Sequence, residues 1–221
     1  MSAFPGTPRI LKGGIVPLDP LSGAVLTARM IVLQYNPDSV SRSLQIQAIG
    51  GDGRDYSEAL RLKGPPVETF KLEAEIDATD QLERPEQNRT ATEVGLFPQL
   101  ALLETLVYPS SAQLNANNAR QGSGELEIIP MEAPLTLFVW SRARIVPVRI
   151  TECSITEEAF DTALNPIRAK LSLGLRVLSV DDLGFDNKGG GLFMSYLQRK
   201  EQLAARGAGG SLGQLGLTGI P

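Results

Sequence analysis

At 221 residues the chain has room for one well-buried domain with short appendages, and is short for two. It holds no histidine and a single cysteine, Cys153, which excludes histidine-based acid–base catalysis, histidine zinc sites, intrachain disulfides and Cys-rich metal clusters, and fits a reducing compartment. Twenty-one Lys and Arg against 25 Asp and Glu leave a net charge of −4, so bulk attraction to nucleic acid or anionic lipid is not expected; with 42% hydrophobic but only 5% aromatic residues, the core is mainly aliphatic. The start has neither a basic leader nor an apolar signal core, and no run approaches the length of a membrane span, so the expectation is a soluble, cytoplasmic protein.

Residues 1–28 carry four prolines (Pro5, Pro8, Pro17 and Pro20) and read as an N-terminal extended arm. The β-rich run 29–36 predicts a first strand, stopped by the turn sequence Asn36-Pro37-Asp38. A second strand over 41–49 gives way to Gly50-Gly51-Asp52-Gly53, and 50–66 reads as a long exposed loop. The glycines lack the Lys-Ser/Thr of a phosphate-binding P-loop. Alternation is clearest at 67–78, where Phe70, Leu72, Ala74, Ile76 and Ala78 share one face and Lys71, Glu73, Glu75 and Asp77 the other, predicting a half-buried strand. The best helix candidate is 96–107: Pro98 suits its first turn, and Leu96, Leu100, Leu103 and Val107 fall on one side.

Residues 110–124, rich in Ser, Asn, Ala and Gly, read as a mobile loop. Strands then resume at 125–129, 135–140 and 144–156, and Pro147 argues for an edge position or a bulge in the last of these. The most regular strand is 166–180, where Ile167, Ala169, Leu171, Leu173, Leu175 and Val177 alternate with Arg168, Lys170, Ser172, Gly174 and Arg176. Beyond 182 the composition shifts, with 10 of the 22 glycines between Gly184 and Gly219. A short helix is expected at 192–205, followed by a Gly/Leu tail that is either a disordered terminus or a segment that orders on a partner.

No opposed pair of carboxylates marks a catalytic cleft, and the acids Asp77, Asp80 and Glu83 lack calcium-loop spacing. Cys153 lies among acids that raise a thiol pKa, with no histidine to activate it. No catalytic, cofactor or metal site is therefore expected. The stripe Arg168, Lys170 and Arg176 is the informative feature: it can meet Glu73, Glu75 and Asp77 in the same or a neighbouring subunit, or remain solvated charge.

Several phrases in order carry a resemblance. The stretch Gln34-Tyr35-Asn36-Pro37-Asp38-Ser39-Val40-Ser41-Arg42 is similar to the opening of tube and baseplate proteins of contractile, phage-tail-like injection systems. The similarity extends through 68–80, the helix 95–104, the stretch 146–160 and Asn165-Pro166-Ile167-Arg168-Ala169, about residues 25–182 in all. The resemblance implies a mainly β fold, a tail-tube-like antiparallel β-barrel or sandwich over 29–182 with one packed helix and extended loops. It implies assembly as a ring, of six copies, with Glu73, Glu75, Asp77, Arg168, Lys170 and Arg176 as candidate ring contacts. The chain is most similar to the baseplate adaptor joining the trimeric hub and spike to the inner tube, without the LysM-type domain several such adaptors carry. Implied partners are its own copies, the hub, inner-tube proteins and wedge or sheath components, with no nucleic acid and no membrane insertion. The end at 183–221, through Leu212, Leu215 and Leu217, is the expected clip for a baseplate partner. A repeating tube subunit and a free-standing ligand-binding β-barrel are the alternatives.

Overall fold

The computed structural model describes residues 10–19, 22–48, 60–122 and 133–220. Among them the backbone forms one antiparallel sheet of seven strands: β1 (Gly14–Pro17), β2 (Ile31–Val32), β3 (Val40–Gln45), β4 (Val67–Asp77), β5 (Thr136–Ser141), β6 (Arg144–Phe160) and β7 (Pro166–Val177). Their order across the sheet is β2-β1-β5-β6-β7-β4-β3. Six α-helices accompany it: α1 (Thr79–Leu82), α2 (Arg89–Val94), α3 (Phe97–Glu104), α4 (Ser111–Gly122), α5 (Val180–Leu183) and α6 (Lys188–Ala204). The fold is mainly β with several helices, as the alternating runs predict. None of the described helices is long and apolar enough to cross a membrane.

The alternation in β4 and β7 sets the architecture. Phe70, Leu72, Ala74 and Ile76 stand opposite Leu175, Leu173, Leu171 and Ala169, so side chains from both strands converge on one apolar face. Strands β4 and β5 are three places apart in the sheet, roughly 14 Å if it were flat. Yet the rings of Phe70 and Phe138 lie 5.4 Å apart, so the sheet is rolled around its apolar face. Leu96, Leu100, Leu103 and Leu106 from the α3 region and Phe193 and Tyr196 of α6 complete this core. The ladder is open between β2 and β3, but the two ends approach. The Gln34 side chain accepts from the Asp77 amide (2.9 Å) and donates to the Asp77 carbonyl (2.8 Å), tying the chain just past β2 to the end of β4.

Six expectations are corrected. The 1–28 segment is not simply an extended arm: Gly14–Pro17 lies inside the sheet between β2 and β5, with Ile15 buried against the core, because its small and apolar residues pack where charges would not. The strand expected at 29–36 shrinks to Ile31–Val32, preceded by a 3-10 turn at Thr27–Arg29. Helix α3 stops at Glu104, and three-residue bonds from Leu106 to Leu103 and from Val107 to Glu104 tighten the next turn. At three residues per turn Leu106 replaces Val107 on the buried side. The loop expected at 110–124 contains helix α4. Gln113 donates its amide to the Ser110 hydroxyl (3.2 Å) while its side-chain oxygen accepts from the Ser110 amide (3.0 Å), a reciprocal cap that starts the helix.

Pro147, the fifth, lies in a central strand and not at an edge; β6 does carry a bulge, but farther along, between Ile150 and Glu152. Leu178 donates to the Pro147 carbonyl (2.9 Å), and in an antiparallel pair the missing proline N–H faces the same neighbour, where the β6–β7 ladder is ending. Helix α6 also begins four residues earlier than its apolar pattern. Asn187 caps it by accepting from Gly189 (2.8 Å), and a side chain on Gly190 would collide with the Gly184 carbonyl, so glycine lets α5 and α6 pack tightly. The strand expected at 125–129 and most of the loop at 50–66 lie outside the described residues.

Candidate assembly surface

Period-two alternation places every charge predicted on β4 and β7 on the sheet face opposite the core. Register then sets the pairs: Asp77 stands across from Arg168, Glu75 from Lys170 and Glu73 from Ser172. On the other side of β7, Arg168 faces Glu158, Lys170 faces Thr156 and Arg176 faces Arg149. The strips thus meet within one chain. Arg168 reaches both Asp77 (2.8 Å) and Glu75 (3.4 Å), Lys170 turns to Glu158 (2.9 Å), Lys71 to Glu152 (3.4 Å) and Arg176 to Asp182 (2.8 Å). Of the expected contact residues, Glu73 is exposed and has no ion-pair partner among the described residues.

Hydrogen bonds fix these charges. Thr79 donates its amide (2.7 Å) and its hydroxyl to Asp77 Oδ1; those bonds, with Arg168 added, hold the Asp77 carboxyl below the usual carboxylate range. The same contacts push Arg168 up, through Asp77 first, and Lys170 up, through Glu158. Across β4, β7 and β6 this face carries Lys71, Arg149, Arg168, Lys170 and Arg176 against Glu73, Glu75, Asp77, Glu152 and Glu158. That even balance, with Ser41, Ser43, Ser154, Thr156 and Ser172 between, offers no net field to capture a polyanion or a polycation. An open trough of about 570 Å³ runs along it beside Tyr35–Ser39. Its floor is hydroxyls and charges, most of them paired, with Glu73 the exception, a wetted wall more than a binding pocket.

The edges of this polar-faced unit are unpaired among the described residues. Among the described residues β3 pairs only with β4, and β6 beyond Val148 pairs only with β7 because β5 ends opposite it. A twelve-residue edge from 149 to 160 therefore shows its backbone groups on one side of β3-β4-β7-β6, and Val40–Gln45 does so on the other.

One residue on the opposite face escaped sequence reasoning. Glu68 shares the parity of Phe70 and Leu72 and points into the core, its side chain 4% exposed. Tyr196 donates to it (2.8 Å), Lys200 stands at 2.8 Å and Arg42 at 3.8 Å, so one carboxylate from β4 anchors α6 and part of β3. Burial first, and then the Glu68 carboxylate, push the Tyr196 phenol up. The signal was present: a glutamate in the apolar register of an alternating strand.

Cys153 is half-buried on the core side of β6, where burial and then Glu104 push its thiol up, away from the thiolate a nucleophile needs. No cluster of His, Cys, Asp and Glu among the described residues can hold a metal ion. Leu212, Leu215 and Leu217 lie at or beside a short 3-10 turn, Leu212–Leu215, capped by Ser211 and Gln214; all three are exposed, Leu215 by 73%. Neither the known protein-family models nor the curated proteins match this chain.

Proposed function

We propose that this chain is a non-catalytic ring subunit of a contractile, phage-tail-like injection system, serving as the baseplate adaptor between the trimeric hub and the inner tube. The observation that carries this reading is the unit β3-β4-β7-β6, polar and largely charge-paired on one face, mainly apolar around the buried Glu68 on the other, and open among the described residues at both backbone edges. A lone molecule with a twelve-residue open edge invites indiscriminate pairing. Joining the β6 edge of one copy to the β3 edge of the next, six times over, closes the sheet into a barrel and lines its lumen with the wetted face. The chain resemblance along 25–182 supplies the tail-tube-like identity. The exposed leucines Leu212, Leu215 and Leu217 then serve as the clip for a neighbouring baseplate component.

The test is the mass and shape of the full-length protein. Light scattering and negative-stain electron microscopy are expected to give a six-membered ring of about 142 kDa, six times 23.7 kDa. A monomer persisting to about 100 µM, a concentration at which mass action strongly favours assembly, overturns the reading. Many stacked rings identify the repeating tube subunit instead.

A further inference from the structure

Near the turn from β5 into β6, several cationic residues come from separate elements, and one buried carboxylate, Glu68, meets two of them. Arg199 of α6 donates to the carbonyl of Arg142 in that turn, bringing the two together. The next residue, Lys200, contacts Glu68, which Arg42 also approaches at 3.8 Å. Arg144, two residues after Arg142, lies 5.6 Å above the ring of Phe70, the residue opposite Arg42 in the β3–β4 register. Arg42, Arg144, Arg199 and Lys200 are thus linked through Glu68, Phe70 and the β5–β6 turn, the exposed Arg142 stands in that turn, and Glu68, buried, serves two of them. Arg142, Arg144 and Arg199 have no carboxylate partner among the described residues, and Glu201, exposed on the adjoining turn of α6, makes no ion pair there.

This contrasts with the balanced sheet face. In a chain of net charge −4, four guanidinium groups and one ammonium collected at one end create a local field of the opposite sign. Guanidinium groups favour planar, bidentate anions, and a face-on ring beneath Arg144 holds one of them in place. The acidic remainder of the chain opposes a long polyanion but leaves a short acidic stretch free to dock. We propose that this cluster is a docking site for a carboxylate-rich segment of a partner protein. It does not rest on the ring reading: of its members only Arg42 lies on an open edge strand, and Arg142 and Arg199, the residues the test changes, lie on neither.

The experiment titrates full-length protein with poly-L-glutamate of about 20 residues in about 50 mM salt, where exposed charges are weakly screened. Saturable binding is expected, weakening as salt rises. Arg142→Glu with Arg199→Glu is expected to lower affinity roughly tenfold or more, whereas Arg89→Glu on α2 leaves it unchanged. If the double reversal fails to fold, Arg142→Gln with Arg199→Gln removes the charge alone and is expected to give a smaller loss in the same direction. No binding by the wild type, or equal losses with Arg89→Glu, overturns the proposal. Equal or tighter binding of an oligothymidylate of the same length overturns it in favour of nucleic acid. Loss of self-association, with glutamate binding untouched, assigns the cluster to a second copy of this chain instead.

Discussion

Strand β4 carries carboxylates on both faces, and the two sets behave differently. Glu75 and Asp77 lie on the polar side, where Arg168 meets both within reach of water. Glu68, seven residues before Glu75, sits among Phe70, Tyr196 and the α6 packing with almost no exposure. An exposed pair gains little, since water solvates each charge nearly as well alone. A buried carboxylate has no such recourse and depends on every donor it has. What a charge does on this strand is therefore decided by the parity of its position, not by its proximity to an opposite charge.

That comparison is easiest to break at Lys200. Lys200→Met strips the nearest cation from a buried carboxylate; urea unfolding is expected to show a loss of about 3 kcal/mol, at the low end of such effects because Arg42 remains at 3.8 Å. Tyr196→Phe removes one hydrogen bond to the charged group and is expected to cost about 2 kcal/mol in the same assay. Its pH dependence sharpens the point. Because the folded phenol is pushed up, its contribution is fully present below the unfolded value near 10 and is lost as pH rises further. Wild type is accordingly expected to lose stability between about pH 10 and 12 in a way that Tyr196→Phe does not. Smallest of all, Arg168→Ala breaks two ion pairs on the polar face and is expected to leave the thermal midpoint within error. A clear drop there would show that the exposed network, too, carries the fold.

Much of this was legible in the sequence. The strict alternation at 67–78 and 166–180 gave both strands and their faces, since period two leaves one arrangement for each residue, but left open whether acid meets base within the chain, between copies or not at all. Register supplied the rest: nothing in the sequence says that Arg168 stands across from Asp77 while Arg176 turns to Asp182. Residues 14–17 were missed because four residues between prolines carry too little pattern to mark an interior strand, and α4 because asparagines hid the Ser110/Gln113 cap. Glu68 lay in plain sight, but its partner Tyr196 is 128 residues away, a separation that local periodicity cannot bridge. The basic cluster has the same origin, since its members come from β3, the β5–β6 turn and α6.

The Gln34 clasp bears on how such a molecule yields. Among the described residues no rung of backbone ladder joins the β2 edge to the far end of β4; apart from apolar packing around Leu33, the link is one side-chain amide bonded twice to Asp77. By contrast, β4 and β7 are joined across nine facing residues. At Gln34 two hydrogen bonds, roughly 1–3 kcal/mol, and the local packing of Leu33 hold the seam, far less than the ladders on either side. The rolled sheet therefore has a built-in line along which it can loosen or widen its girth without losing its strands.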